Sequence, residues 1–218
     1  MRNFLFIIAA FSFVFSSCKK SSDANVAENY LPTTVGSNWT YKVTTAGTAV
    51  TTVKYTVSNR DTVANARTYA VLTGSNGSSL YNAKTGSDYF TFRAVAGQGL
   101  ELLYLKDDKD INGTWNTSQT LTGLTGLPGG ITSANINIAY IVKEKGTTRT
   151  VSGTSYTNVV KVEATLSAAV AILTLPLGTA EFYFSKNIGL IESKILINNA
   201  TLGFNIDEKY ELQSYEIK

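Results

Sequence analysis

The chain has 218 residues, 44% of them hydrophobic and only 16% charged, with a formal net charge of +3. It has no histidine and a single cysteine, which excludes a Ser-His-Asp triad, histidine metal ligands and an intrachain disulfide. Acids and bases are interleaved without a basic stripe, so nucleic acid is not an expected partner, and any metal would be a hard cation held by oxygens, calcium or magnesium.

The chain opens with Met1-Arg2-Asn3, an uncharged run from Phe4 to Phe15, and the small pair Ser16-Ser17 before Cys18. Residues 1–17 therefore have the three parts of a secretory signal, and the apolar run is shorter than the roughly 20 residues a membrane-spanning helix needs. A cysteine directly after two small residues resembles the lipobox of bacterial lipoproteins, although Phe15 stands where Leu is usual. That resemblance implies acylation of Cys18, cleavage before it, and a protein anchored in the outer membrane, facing either the periplasm or the surface. Two or more acyl chains, at about 0.8 kcal/mol per buried methylene, give stable attachment. Residues 18–29 then form the lipidated cysteine and a flexible tether, small and polar through Ser21–Asn29, and 30–218 a single β domain.

From Tyr30-Leu31-Pro32 onward strand signals follow one another. Trp39, Tyr41 and Val43 alternate with polar neighbours, and Val53, Tyr55 and Val57 repeat the pattern. Further runs lie at Thr68–Thr73, Asp88–Ala96, Leu100–Leu105, Asn135–Lys143, Asn158–Leu166, Glu181–Ser185, Leu190–Ile197 and Ile206–Ile217, separated by glycine-containing breaks. No long window carries helical spacing. The expected fold is all-β: one strongly curved antiparallel sheet closing into a barrel or half-barrel, with a β-sandwich as the alternative. Gly36-Ser37-Asn38-Trp39 is echoed by Asn112-Gly113-Thr114-Trp115, which suggests two related halves or simply a common way to begin a strand. Leu121–Ser133, interrupted by glycine and proline, reads as a mobile loop. Ala168–Leu177 reads as a strand buried on both faces, with an apolar cavity wall as the sharper alternative.

Several segments together resemble a group of uncharacterised lipoproteins of Bacteroidota: the Cys18 lipobox, Val35-Gly36-Ser37-Asn38-Trp39-Thr40-Tyr41, Tyr156–Val162, Tyr183–Glu192 and Tyr210-Glu211-Leu212. The resemblance implies a curved antiparallel sheet and no reaction. Asp61-Thr62-Val63 also resembles the short O-glycosylation signal of exported Bacteroidota proteins, with Thr62 as acceptor.

The clearest chemical motif is Asp108-Lys109-Asp110-Ile111-Asn112-Gly113. Oxygen side chains at Asp108, Asp110 and Asn112 followed by glycine match the opening of a calcium loop. Trp115 falls at the usual apolar position, but Gln119 occupies the place of the bidentate glutamate, and a solvated acidic hairpin is the plainer reading. With no catalytic pairing in the sequence, the expected role is a non-enzymatic binding or scaffolding module, for a hydrophobic small molecule or an envelope protein. The alternatives are a carboxylate-dependent enzyme acting on glycans, or a purely structural partner protein.

Overall fold

The computed structural model describes residues 29–95, 98–123, 130–199 and 204–218; Cys18, the leader, nearly all of the tether and residues 124–129 of the glycine-rich loop lie outside them. The described residues form twelve strands and no helix. The first six are β1 (Asn38–Thr45), β2 (Ala49–Ala64), β3 (Arg67–Gly74), β4 (Ser79–Thr85), β5 (Asp88–Val95) and β6 (Gln98–Lys106). The second six are β7 (Thr114–Thr122), β8 (Ser133–Val151), β9 (Thr154–Val170), β10 (Leu173–Ser185), β11 (Gly189–Asn199) and β12 (Phe204–Glu216). All lie in one antiparallel sheet, ordered β6-β5-β4-β3-β2-β1-β12-β11-β10-β9-β8-β7, that curls into a nearly closed barrel. The expected fold class is the observed one.

The order divides the barrel into two six-strand meanders, β1–β6 and β7–β12. The Trp39/Trp115 echo falls at corresponding places, since each tryptophan is the second residue of its meander's first strand. The meanders join twice, by different means. Between β12 and β1 runs a full ladder from Asn38↔Glu216 to Thr45↔Glu208, with a bulge at Thr40/Tyr41. Between β6 and β7, the two edges of the sheet, no ladder forms.

Alternation fills the concave side. Along β9, Val160, Val162, Ala164, Leu166, Ala168 and Val170 are buried, and β8 sends Ile136, Ile138, Tyr140 and Val142 to the same core. Tyr104 meets Phe182 and Phe184 edge-on across the lumen, with centroids 5.5 and 4.9 Å apart. Side chains of this size each contribute about 1.5–3 kcal/mol on full burial. Two glycines set how closely strands approach. A Cβ on Gly178 would lie 1.9 Å from the Leu196 carbonyl oxygen, and one on Gly99 would lie 1.9 Å from the Phe92 ring.

One end of the barrel is stoppered by the incoming chain. Tyr30 and Leu31 are buried, and Tyr30 meets Tyr89 edge-on at 6.1 Å. The segment is pinned by the Asn187 N–H donating to the Asn29 carbonyl at 2.7 Å. The carboxy terminus reaches the same end, where the Lys218 N–H donates to Ser37 Oγ at 3.0 Å. The expected turn at Asn187-Ile188-Gly189 is there, with positive φ at Asn187 and Gly189.

Two readings are corrected. Ser79–Thr85, unmarked in the sequence analysis, is β4. Ala168–Leu177 is not one strand buried on both faces but a hairpin turning at Ala171-Ile172, with Ala171 at φ 52° and Ile172 97% exposed. Apolar alternation continues on either side of this turn, but nothing covers the residues at its apex, so hydrophobicity alone could not reveal the reversal.

Candidate functional site at the barrel seam

A ligand site needs room, and the lumen has little. Its free spaces are about 50 Å³, beside Tyr41, Tyr104 and Tyr210, and about 30 Å³, beside Leu100, Ala180 and Ile206. A small-molecule pocket is typically about 300–1,000 Å³. The seam between β6 and β7 carries a cavity of about 360 Å³, walled by Phe90, Leu100, Leu103, Ile136 and Ile138, with Asn65, Glu101, Thr117, Ser118 and Gln119 as its polar groups. It is continuous through Thr117, Ser118 and Ile138 with a groove of about 390 Å³ on the outer face of β7–β9, lined by amides and hydroxyls such as Asn116, Asn137 and Ser167.

Side chains do the work of the missing ladder. Trp115, Thr117, Gln119 and Leu121 share one face of β7, as cross-strand partners of buried Tyr140, Ile138, Ile136 and Ala134. From that face the Gln119 amide meets the backbone of β6: Nε2 donates to the Gly99 carbonyl at 2.6 Å, and Oε1 accepts from the Glu101 N–H at 2.9 Å. Trp115, stacked on Tyr140 at 5.2 Å, donates its indole N–H to the Leu103 carbonyl at 2.8 Å. The groups engaged belong to residues 99, 101 and 103, the alternate residues an antiparallel neighbour would address.

The Glu101 side chain is held from β3 of its own meander. Arg67 Nη1 donates to Oε1 at 2.7 Å, and the Tyr69 hydroxyl donates to the same oxygen, so Oε2 receives neither bond. The Arg67 guanidinium lies 3.4 Å from the centre of the Phe90 ring, a cation–π contact. Burial, then the bond to Glu101, pushes the Tyr69 phenol well above its ordinary value, with Arg67 partly opposing. The result is a hollow of mixed polarity, apolar on one wall and amide- and hydroxyl-lined on the other, with one carboxylate whose charge is matched by Arg67, suited to an amphiphile with an apolar body and a hydrogen-bond donor.

The residues singled out from sequence lie elsewhere. Cys18 is outside the described residues. Thr62 is half-buried in β2, directly opposite Tyr69, in the hairpin that brings Arg67 and Tyr69 to the seam. Asp108, Asp110 and Asn112 lie exposed in the β6–β7 connection, with Asn112 at φ 68°. The Lys145 ammonium sits among that loop's oxygens, donating to the carbonyls of Asp107 at 3.1 Å and Lys109 at 2.8 Å and to Asp110 Oδ1 at 3.3 Å. Among the described residues no group of three or more acidic, cysteine or histidine side chains is placed to hold a metal. Gln119 is a seam residue and not part of that loop.

Glu101, Arg67 and Gln119 were missed as a site. The one available signal was Glu101 itself, an isolated acid in the apolar run Leu100–Leu105. Two carboxylate pairs stand opposite each other elsewhere in the sheet: Glu163 and Glu181, bridged by Lys161 Nζ at 2.7 and 3.3 Å, and Glu192 and Glu211, bridged by Lys209 Nζ at 3.5 and 2.8 Å.

No family model and no curated protein matches the sequence. Among solved structures, the chain is similar to the crystal structure, at 2.70 Å resolution, of a protein described as a "putative lipoprotein" from Parabacteroides distasonis ATCC 8503. The TM-score is 0.48 at 12% identity, over 87% of this chain and 99% of that one.

Proposed function

We propose that the chain is a lipid-anchored protein of the bacterial envelope that binds a small amphiphilic or apolar ligand at the barrel seam and has no chemistry of its own. The observation that carries the reading is the contrast in free volume, about 360 Å³ at the seam against about 50 and 30 Å³ in the lumen. The mixed apolar and hydrogen-bonding lining and the single neutralised carboxylate support binding over catalysis. The carboxylates facing each other in register, Glu163 with Glu181 and Glu192 with Glu211, are engaged by Lys161 and Lys209 instead of lining a cleft. The leader and Cys18 support the anchor.

Two experiments test the two halves of the proposal. N-phenyl-1-naphthylamine, a small apolar fluorophore, is titrated against the parent, against Leu103→Trp, which fills the seam, and against Ala180→Leu, which crowds the lumen. Loss of uptake in the first variant alone supports the seam; loss in the second alone refutes it. Mass spectrometry of the amino-terminal peptide from exported protein reads the anchor, and an unmodified Cys18 thiol rules it out.

A further inference from the structure

The groove that continues from the seam has a floor built in register. Ser118, Asn137 and Ser167 stand abreast on β7, β8 and β9, and Asn116, Ala139 and Thr165 line the groove beside them. With strands about 4.8 Å apart and a two-residue step of about 7 Å, these side chains cover a patch of roughly 10 by 7 Å, the footprint of one sugar ring. Asn137 and Ser167 are half-buried and the rest are exposed. Among the described residues the amides and hydroxyls of this patch make no hydrogen bond. One row further on the same kinds of side chain are paired, Thr120 Oγ1 donating to Asn135 Oδ1 at 2.6 Å.

No residue lining the groove is charged, and the one charged residue lining the adjoining cavity, Glu101, is matched by Arg67 at 2.7 Å. Charge begins at the next pair of outer-face residues, Ile141 and Glu163, where Glu163 already engages Lys161 at 2.7 Å and Lys143 at 3.8 Å. A phosphate placed in the groove would therefore meet no cation among the lining side chains, and an ammonium would meet only a carboxylate already neutralised. Either would give up hydration without a compensating partner. A neutral group that both donates and accepts is matched by asparagine, serine and threonine side chains, which do the same.

We propose that the ligand of the seam is a single-chain amphiphile with a neutral, hydroxyl-bearing head, a glycoside or a glyceride; this rests on the seam reading and narrows it. The alkyl chain lies in the cavity along Leu100, Leu103 and Ile136. The head passes Thr117 and Ser118, which line both spaces, and its hydroxyls settle on Asn137 and Ser167.

The test displaces N-phenyl-1-naphthylamine from the full chain carrying Cys18→Ser, so that no acyl chain of the protein competes. Four amphiphiles with eight-carbon chains are compared below their micelle-forming concentrations: octyl glucoside, monooctanoylglycerol, octyl phosphate and octyltrimethylammonium. At least one neutral compound should displace the dye at concentrations tenfold or more below both charged ones, and the tighter of the two neutral heads distinguishes glycoside from glyceride. Asn137→Leu should narrow that preference to about twofold, and Asn137→Lys should turn it toward octyl phosphate. Circular dichroism checks that both variants fold. No displacement by either neutral compound, equal displacement by neutral and charged compounds, or a preference unchanged in both Asn137 variants would each overturn the proposal. Leu103→Trp separates the two levels of the argument. Dye uptake that survives this variant removes the seam reading and the headgroup with it, whereas uptake lost in Leu103→Trp from a parent without headgroup preference removes the headgroup alone.

Discussion

The side-chain amide of Gln119 reaches across the barrel seam to the main chain of Glu101, accepting its N–H at 2.9 Å while donating to the carbonyl of Gly99 at 2.6 Å. One glutamine thus satisfies two groups that a neighbouring strand would otherwise pair. Gln119→Leu should cost about 2–3 kcal/mol, because both backbone groups lose their partner at a half-buried edge. Urea unfolding measures the loss, and hydrogen exchange at the Glu101 amide should speed up with it. Gln119→Glu, the change that would restore the calcium-loop pattern, keeps an acceptor for the Glu101 N–H but presents no donor to Gly99. It should destabilise at pH 7 and recover partly near pH 4, as its carboxyl gains a proton.

At Gly178 the constraint is backbone against backbone, since an added Cβ would meet the Leu196 oxygen at 1.9 Å. Gly178→Ala should therefore cost at least about 3 kcal/mol, lowering Tm by roughly 6–12 °C. Gly47, in the β1–β2 turn at φ +70°, has nothing within 4 Å of an added Cβ. Gly47→Ala should cost only about 1 kcal/mol, from backbone strain alone. Equal losses at the two positions would contradict the close approach of β10 and β11.

Lys145 holds the loop containing Asp108 and Asp110 through two carbonyls and one carboxylate oxygen. A calcium ion would have to displace that ammonium, so millimolar calcium should leave the Tm of the parent protein unchanged. Lys145→Met should lower stability by about 1–2 kcal/mol, the worth of a charged donor shared among such acceptors. A Tm that climbs with calcium in the parent would show that the oxygens are free to bind it.

Several tyrosines set the alkaline limit. Burial raises the phenols of Tyr41, Tyr69, Tyr89 and Tyr140 above their ordinary value near 10. For these groups the folded state keeps its protons to higher pH than the unfolded chain does. Stability is therefore fully present below about pH 10 and falls as pH rises beyond it. Absorbance near 295 nm should show these four of the twelve tyrosines titrating only together with the loss of near-ultraviolet circular dichroism. Smooth titration of all twelve before unfolding would contradict their burial.

Much of the fold could be read from the sequence because strand alternation is a local signal. Trp39, Tyr41 and Val43 declare β1, Asn187-Ile188-Gly189 declares a turn, and the Trp39/Trp115 echo marks where each meander begins. What could not be read is of two kinds. Ala171-Ile172 turns the chain without glycine, proline or asparagine, and Ser79–Thr85 has no Val or Ile and only its final Thr85 as a β-branched residue to announce a strand. The seam is the second kind: Glu101 and Gln119 are each unremarkable in their own strands, and they meet only because the ends of a twelve-stranded sheet curl together. Closure is a property of the whole sheet, so no window of sequence contains it.

The β1–β12 ladder sets Trp39 opposite Tyr215, joining the first strand to the last. While the chain is being made, each meander can zip up hairpin by hairpin, but β1 stays an open edge until the final strand is available. The barrel is thus incomplete until β12 is made, and removal of the thirteen residues Phe204–Glu216 is far more damaging than their small share of the length would suggest.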